Sequence, residues 1–268
     1  MPINIDYYPC QGLIKDSSAY LFFKPTYPLN SWVQEFWQLN IPDGKYFYRS
    51  VPDNCVDIII NLTDPEETFI VTPFSSRKTF EMEGPVSYFG IRFQTLGHQG
   101  VISTPIGFWN NNENIIDAKD ILTKRMLSVL STGSYKPMPF QSRCKYFSTI
   151  LLGVLQDYEI DPRLLRYIVY CHQNIGSSIN LSDKQCSEFG LSARHLRRLT
   201  SQYLGLSPRE FAKVLRFQQT LRIMQKEKYS SDWGRRYYDQ SHFIRDFKKM
   251  SGVTPNEFQN LSVLYNTD

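Results

Sequence analysis

LSDKQCSEFGLSARHLRRLTSQYLG, residues Leu181–Gly205, and YYDQSHFIRDFKKMSGVTP, residues Tyr237–Pro255, decide how this chain is read. In the first, a short helix over about 182–189 is interrupted by Gly190-Leu191-Ser192. The glycine permits a tight turn, and Ser192 is suited to cap the helix that follows. In that second helix Leu196, Leu199 and Tyr203 recur at helical spacing and predict a buried stripe, while Arg194, Arg197, Arg198 and Ser201 occupy the opposite face. A guanidinium there can donate two hydrogen bonds to guanine O6 and N7 in the major groove. The other reading of such a stripe is a solvated charged face; a second copy of the pattern downstream favours DNA.

In that copy Asp239 is suited to the N-cap, Phe243, Phe247 and Met250 form the apolar stripe, and Gly252 ends the helix. Gln240, Ser241, Arg245, Lys248 and Lys249 lie toward the other side, the glutamine suited to adenine and the lysines to phosphate. Between the two units, Ser207–Lys226 opens on Ser-Pro, an N-cap followed by the first helical position. Its Phe211, Val214, Leu215, Leu221 and Met224 predict a rigid linking helix with a buried face.

GLSARHLRRL, LGLSPREFAKVLRF and YYDQSHFIRDFKKMSGVTPNEF, in that order and spacing, resemble the DNA-binding domain of AraC-family transcription regulators over about residues 161–262. The resemblance implies that the helices near 192–204 and 239–251 enter successive major grooves on one face of the duplex. By position, it implies that Arg194, Arg197 and Arg198 face bases in the first, and Gln240, Ser241 and Arg245 in the second. The pattern departs at Lys228–Gln240, where Asp232 and Arg236 stand at the places of a small residue and a glycine. The segment is about three residues short, so nearly one turn of supporting helix, at ~3.6 residues per turn, is expected to be missing, with Trp233 filling the gap. The second reading head should then contribute more to phosphate affinity than to base discrimination.

Charge divides the chain in the same way. Residues 161–262 hold 17 Lys and Arg against 9 Asp and Glu, a net of +8, whereas residues 1–160 hold 13 against 16, a net of −3. Clustered positive charge supplies the salt-sensitive part of DNA affinity through counterion release. A basic surface alone would equally suit an anionic membrane or RNA; the paired helix-turn-helix pattern selects duplex DNA.

The 268 residues leave room for two domains, with no apolar run near ~18 residues and no signal-peptide pattern at the start, so a soluble cytoplasmic protein without membrane contact is expected. Cys10, Cys55, Cys144, Cys171 and Cys186 are odd in number and widely spaced, which argues against a disulfide framework or a zinc site and for small buried hydrophobes.

Residues 1 to about 110 are dense in aromatic residues, with strand-like runs VDIIINL, TFIVTPF, KTFEME and VSYFGIRF between frequent turn signals. They predict an antiparallel sandwich or barrel, with Phe89, Ile91 and Phe93 on one face of the last run and Tyr88 and Arg92 on the other. VPDNCVDIIINL (Val51–Leu62) and FGIRF (Phe89–Phe93) are similar to the cupin-like N-terminal domain of one branch of AraC-type regulators, which implies a β-barrel module for sensing or oligomerisation. Trp32, Phe36, Trp37, Tyr46, Tyr48 and Phe93 are the candidates to line its interior around a small organic effector, with Arg49 or Arg92 as an anion partner; the alternative for each aromatic is plain core.

Enzymatic roles find no support. Residues 1–160 contain a single histidine, His98, too few for a cupin metal site, and no phosphate-binding glycine loop or nucleophile motif is present. Neither catalytic residues, a metal nor a cofactor is expected. Two amphipathic helices are predicted between the halves, one with Ile121, Leu122, Met126 and Val129 and one with Phe147, Leu151, Val154, Leu155 and Tyr158, joined by Ser131–Pro139. They either cover the barrel or form a homodimer interface, and dimers bind paired half-sites.

The fold class expected is thus α+β multidomain: a cupin-like antiparallel β-barrel over 1–115, a helical pair over 116–160, and an all-α double helix-turn-helix domain over 161–262. The function expected is sequence-specific transcription regulation at a promoter, through RNA polymerase if the protein is an activator. The N-terminal half would sense a small molecule or mediate dimerisation; the alternative is a ligand-free scaffold controlled by a protein partner or by expression level.

Overall fold

The computed structural model describes residues 7–16, 18–109, 114–175, 182–226, 231–234 and 237–266. Leu181, which opens the first quoted stretch, and Arg236 lie outside the described residues, as does the side chain of Asp232.

Seven strands form one antiparallel sheet: β1 (Tyr20–Phe23), β2 (Val33–Ser50), β3 (Asp57–Asn61), β4 (Thr68–Val71), β5 (Lys78–Phe93), β6 (Ile115–Asp117) and β7 (Leu264–Tyr265). Their order is β1-β2-β5-β3-β4-β6, with β7 paired to β2. Among the described residues no pairing joins β1 to β6, so the sheet is open where a closed barrel was expected. Two long strands also replace the short ones: KTFEME and VSYFGIRF are a single strand β5, antiparallel to β2 along nearly all of both. The turn signals within them are absorbed by an irregularity. Between the pairs Ile41–Val86 and Gly44–Gly84 the register shifts, which leaves Pro42, Asp43 and Pro85 off the ladder, where a missing N–H costs no sheet hydrogen bond. Gly84 is required there, because a Cβ would overlap the Pro42 carbonyl oxygen.

Alternation along the strands gives the sheet two unlike faces. Phe36, Ile58, Ile60, Phe89, Ile91 and Phe93 point to one, where helices α1 (Ala118–Ile121), α2 (Lys124–Ser131) and α3 (Phe140–Val154) close a core through Ile121, Met126, Phe147 and Leu151. The apolar stripes of these helices are therefore spent within the chain. The opposite face carries Trp37, Leu39, Ile59 and Tyr88 around a space they do not fill.

The remaining helices are α4 (Pro162–Gln173), α5 (Asp183–Ser187), α6 (Ala193–Leu204), α7 (Pro208–Lys226), α8 (Gln240–Ser251) and α9 (Pro255–Asn260). They build two cores that share α7. Phe211 and Leu215 pack with Leu164, Tyr167, Leu196 and Leu199. Val214, Phe217, Leu221 and Met224 pack with Phe243, Phe247, Met250 and Phe258. One helix serving both units fixes their relative orientation. Ser207 and Glu210 cap its start reciprocally, each side chain accepting from the other's backbone N–H.

The cysteines are free, and four are buried. Cys10 is only partly buried and its thiol donates to Gln225 Oε1 at 3.1 Å, which corrects the expectation of five packed hydrophobes.

Two histidines, His98 buried and His172 partly buried, make stability depend on pH. Burial pushes His98 down to about 3 and His172 down to about 4, so both fold neutral, whereas unfolded they bind protons below about 6.5. Their contribution is complete above that pH and is lost progressively as the pH falls toward the folded values. Asp57, pushed up to about 6 by burial, acts oppositely and stabilises the fold somewhat on acidification. Two histidines outweigh one carboxylate, so the melting temperature should fall from pH 7 to pH 5, and less steeply in His172→Gln. A melting temperature that rises over this interval would rule out neutral burial.

Candidate nucleic-acid interface and sensory cavity

Each helix-turn-helix unit ends in a capped, twelve-residue helix. Ser192 Oγ accepts from the His195 N–H at 3.2 Å at the start of α6, and Asp239 Oδ1 accepts from the His242 N–H at 2.7 Å at the start of α8. Gly205 and Gly252 end them at φ +67° and +84°, left-handed conformations that favour glycine. Gly190, in the first inter-helix turn, has φ +77°.

The capped geometry fixes which residues face out. Leu196 and Leu199 are buried and Tyr203 is half-buried, while Arg194, Arg197, Arg198 and Ser201 are exposed on α6. Gln240, Ser241, Arg245, Lys248 and Lys249 are exposed on α8, opposite buried Phe243, Phe247 and Met250. Among the described residues none of Arg194, Arg197, Arg245, Lys248 and Lys249 is held in an ion pair, so their charge is available to an anionic partner. Arg198 Nη2 lies 2.8 Å from His195 Nε2 on the same helix. Arg216, by contrast, is neutralised by Asp246 at 3.0 Å, which keeps it within the fold.

The support under the two heads differs. α6 is preceded by the helical α5, itself capped by Ser182. α8 is preceded by a four-residue 3-10 turn, Ser231–Gly234. Trp233 is buried there in the core that includes Phe217, Phe243 and Phe247.

On the open face of the sheet lies a cavity of about 260 Å³, walled by Tyr20, Trp37, Phe69 and Tyr88 and floored by Asp53, Asp57 and Arg92. Of the residues expected to surround an effector, Trp37, Tyr48 and Arg92 line it. Phe36 and Phe93 do not. Strand alternation turns them into the core on the other face, against which Trp32 also packs. Tyr46 packs beside Trp37 without lining the cavity, and Arg49 stacks over the Tyr265 ring at 5.1 Å. Gly90 accommodates the Trp37 ring, since a Cβ there would overlap the indole.

Arg92 is not free to bind an anion. Its Nε lies 3.1 Å from Asp57, its Nη1 3.4 Å from Glu35 and its Nη2 3.4 Å from Asp53. Trp37 Nε1 donates to Asp57 Oδ1 at 2.7 Å, and the Cys55 N–H donates to Asp53 Oδ1 at 3.0 Å. The two aspartates went unrecognised as site residues in the sequence, although a pair of carboxylates flanking the apolar run of VPDNCVDIIINL signals a buried polar cluster.

The segment carrying Asp53 also grips the helical half. Pro52 O accepts from Gln218 Nε2 at 2.6 Å, and Asn54 Nδ2 donates to Phe211 O at 3.1 Å, both on α7. Val51 enters the core of the second unit and Cys55 that of the first. From α9 the chain returns as β7, pairing Leu264 with Tyr48 of the cavity wall. On the first unit, His98 meets the backbone of Tyr203, and Gly107 lies so close to the Ser201 carbonyl that a Cβ would overlap it.

Comparison with known proteins separates the two halves. A helix-turn-helix domain family matches residues 185–260, and a domain of unknown function (DUF6597) matches residues 21–114. No curated protein matches the chain in sequence. Among solved structures, ToxT from Vibrio cholerae aligns at 12% identity over 92% of this chain and 98% of that chain, with a TM-score of 0.41. A structure of the same protein with an unsaturated fatty acid bound aligns at 13% identity over 92% and 97%, with a TM-score of 0.38. Among the described residues no helix is long and apolar enough to cross a membrane. Two capped helix-turn-helix units share one helix, and the helix-turn-helix domain family matches across both, so the chain carries a C-terminal helix-turn-helix domain.

Proposed function

We propose that the protein reads a promoter through α6 and α8 and that a small organic molecule in the sheet cavity sets its occupancy of that promoter. Residues 1–115 act as the sensor, 116–160 cover its core, and 161–262 bind DNA without catalysing a reaction. The observation that carries this reading is the double role of Val51–Cys55. Asp53 faces the cavity, while Pro52 and Asn54 on either side of it hold α7, the helix both reading heads share. A ligand that shifts Asp53 therefore acts on both heads through one rigid element. Only a difference in affinity between two arrangements can do this, so the ligand must bind one of them better. In the cell the protein acts as a cytoplasmic homodimer on paired half-sites.

The test has two arms on the full-length chain. Selection of random duplex DNA at near-physiological salt yields the operator, with two blocks about one helical turn apart if both heads read bases. A metabolite panel then identifies compounds that raise the melting temperature, since a ligand bound only by the folded state must do so. Those compounds should change operator affinity. Absence of any shift, with DNA binding indifferent to cell extract, would leave the sheet a scaffold.

Gln218→Ala tests the route. Its side chain donates to Pro52 O and Cys10 O and accepts from the Cys10 N–H at 2.7 Å, so removal leaves one buried and two partly buried backbone groups without their partner. The expected cost is about 1–3 kcal/mol of stability. More informatively, the effect of ligand on operator affinity should shrink at least several-fold while ligand affinity itself is retained. An unchanged ligand effect would exclude this segment as the connection.

A further inference from the structure

We infer that the molecule taken up by the sheet cavity is an organic cation, an amine with a compact apolar body. This rests on the reading of the cavity as a ligand site and adds the chemistry of the ligand. Arg92, Asp53 and Asp57 meet at its floor, and Glu35 reaches Arg92 from the adjoining crevice, so that three carboxylates each lie within 3.4 Å of a different guanidinium nitrogen. One positive charge thus faces three negative ones. The other charges nearby do not alter the balance. Glu81, at the mouth, is neutralised by Lys45, and Lys24, in the adjoining crevice, sits over the Tyr8 ring at 4.2 Å. Burial raises the Cys55 thiol and keeps it neutral.

An anion entering this space would meet an arginine already shared among carboxylates, and would add to the excess negative charge. A neutral apolar molecule would displace water from the carboxylates and leave that excess uncompensated in a poorly solvated site. A cation offsets it. The walls favour the same choice, because Tyr20, Trp37, Phe69 and Tyr88 present aromatic rings, whose faces attract an ammonium group. Oxygens of Asp53 and Asp57 have lone pairs beyond those used by Arg92, Trp37, the Cys55 N–H and Gln11 Nε2, which donates to Asp53 Oδ2 at 2.9 Å, so an ammonium finds acceptors as well. A volume of about 260 Å³ suits a small molecule. A bare metal ion is disfavoured, since among the described residues no group of three or more His, Cys, Asp or Glu is arranged to hold one.

Three probes of similar shape separate charge from shape: 2-phenylethylamine, 2-phenylethanol and 3-phenylpropionate, titrated at pH 7.5 against the full-length protein by calorimetry and by Trp fluorescence. The amine should bind roughly tenfold or more tightly than the alcohol, the carboxylate weakest, and only the amine should raise the melting temperature appreciably. Asp57→Asn should reduce that preference about tenfold. Because Asp57 is buried, Glu35→Gln, which removes a carboxylate that meets Arg92 from the adjoining crevice, serves as a second variant, with a several-fold loss expected. Equal or tighter binding of the carboxylate or the alcohol overturns the inference but leaves the ligand cavity standing. Binding of none of the three also overturns it, and the reading of a ligand cavity falls with it only if a wider panel of acids, bases and neutral compounds leaves the melting temperature unmoved.

Discussion

Arg194→Ala combined with Arg197→Ala should weaken binding to the selected operator by about 30-fold to about 10⁴-fold while leaving the melting temperature within a degree or two of the parent. The range follows from about 1–3 kcal/mol for each bidentate guanine contact, with a factor of ten for every ~1.4 kcal/mol. Stability is spared because both side chains are exposed, on the face of α6 opposite buried Leu196 and Leu199. Non-operator DNA should be bound almost as before, so the loss appears as relaxed specificity. Lys248→Ala with Lys249→Ala should do the converse: affinity falls alike on all sequences, and the slope of log affinity against log salt becomes shallower by about 0.9 per lost phosphate contact. Gln240→Ala with Arg245→Ala is expected to cost less base preference than the α6 pair, since α8 rests on a 3-10 turn where α6 rests on α5. Gel-shift titration on operator and scrambled duplexes measures all three. Equal relaxation by the α6 and α8 pairs would show that the 3-10 turn positions its helix as well as α5 does.

Arg92→Met should be the most damaging single substitution in the sheet, at about 3–5 kcal/mol, because it removes the positive charge that three carboxylates share. The methionine replaces much of the volume, so the loss is not mainly one of packing. At roughly 2–4 °C per kcal/mol for a chain of this size class, the melting temperature should fall by ~6–20 °C. Arg92→Lys should recover only part of this, because one ammonium cannot reproduce a planar fork whose three nitrogens each face a different carboxylate. Adding Asp57→Asn to Arg92→Met should restore stability by removing an uncompensated charge, a coupling that a double-mutant cycle isolates. Thermal and urea unfolding of the parent, Arg92→Met, Arg92→Lys, Asp57→Asn and the double variant provides the measurement. A loss below about 1 kcal/mol would mean that water, rather than Arg92, solvates these carboxylates in the native state.

Legibility in the sequence followed the range of the interactions. In the helical half the deciding interactions are local: a capping oxygen three residues from the N–H it accepts, a glycine beyond the last turn, and apolar residues at helical spacing. Ser192, Asp239 and Gly252 therefore stand where the sequence places them, and the nine polar residues expected on the outer faces of α6 and α8 are exposed there. In the sheet half the alternation of Phe89, Ile91 and Phe93 against Tyr88 and Arg92 was equally local and equally readable. Whether β2 and β5 were two strands or four depended on how the opposing irregularity at Pro42–Asp43 and Pro85 was accommodated, which is a property of the pair. The same holds for the cavity. Phe36 and Trp37 are neighbours of similar character, yet one enters the core and the other the cavity, because the strand's position relative to α3 determines which face is covered.

The sequence by itself determined that two helix-turn-helix units present basic and polar side chains outward, because caps, turns and helical periodicity act within a few residues and need no partner. Only the tertiary structure decided what surrounds Arg92. Glu35, Asp53 and Asp57 reach it from separate segments, turning an expected anion partner into the centre of a carboxylate cluster. It was the tertiary structure, too, that decided how the cavity meets the DNA-binding half. Val51–Cys55 grips α7, and β7 returns to the cavity wall, across sequence separations of more than 150 residues. Contacts at such distances are set by which surfaces bury each other, and no local spacing encodes them.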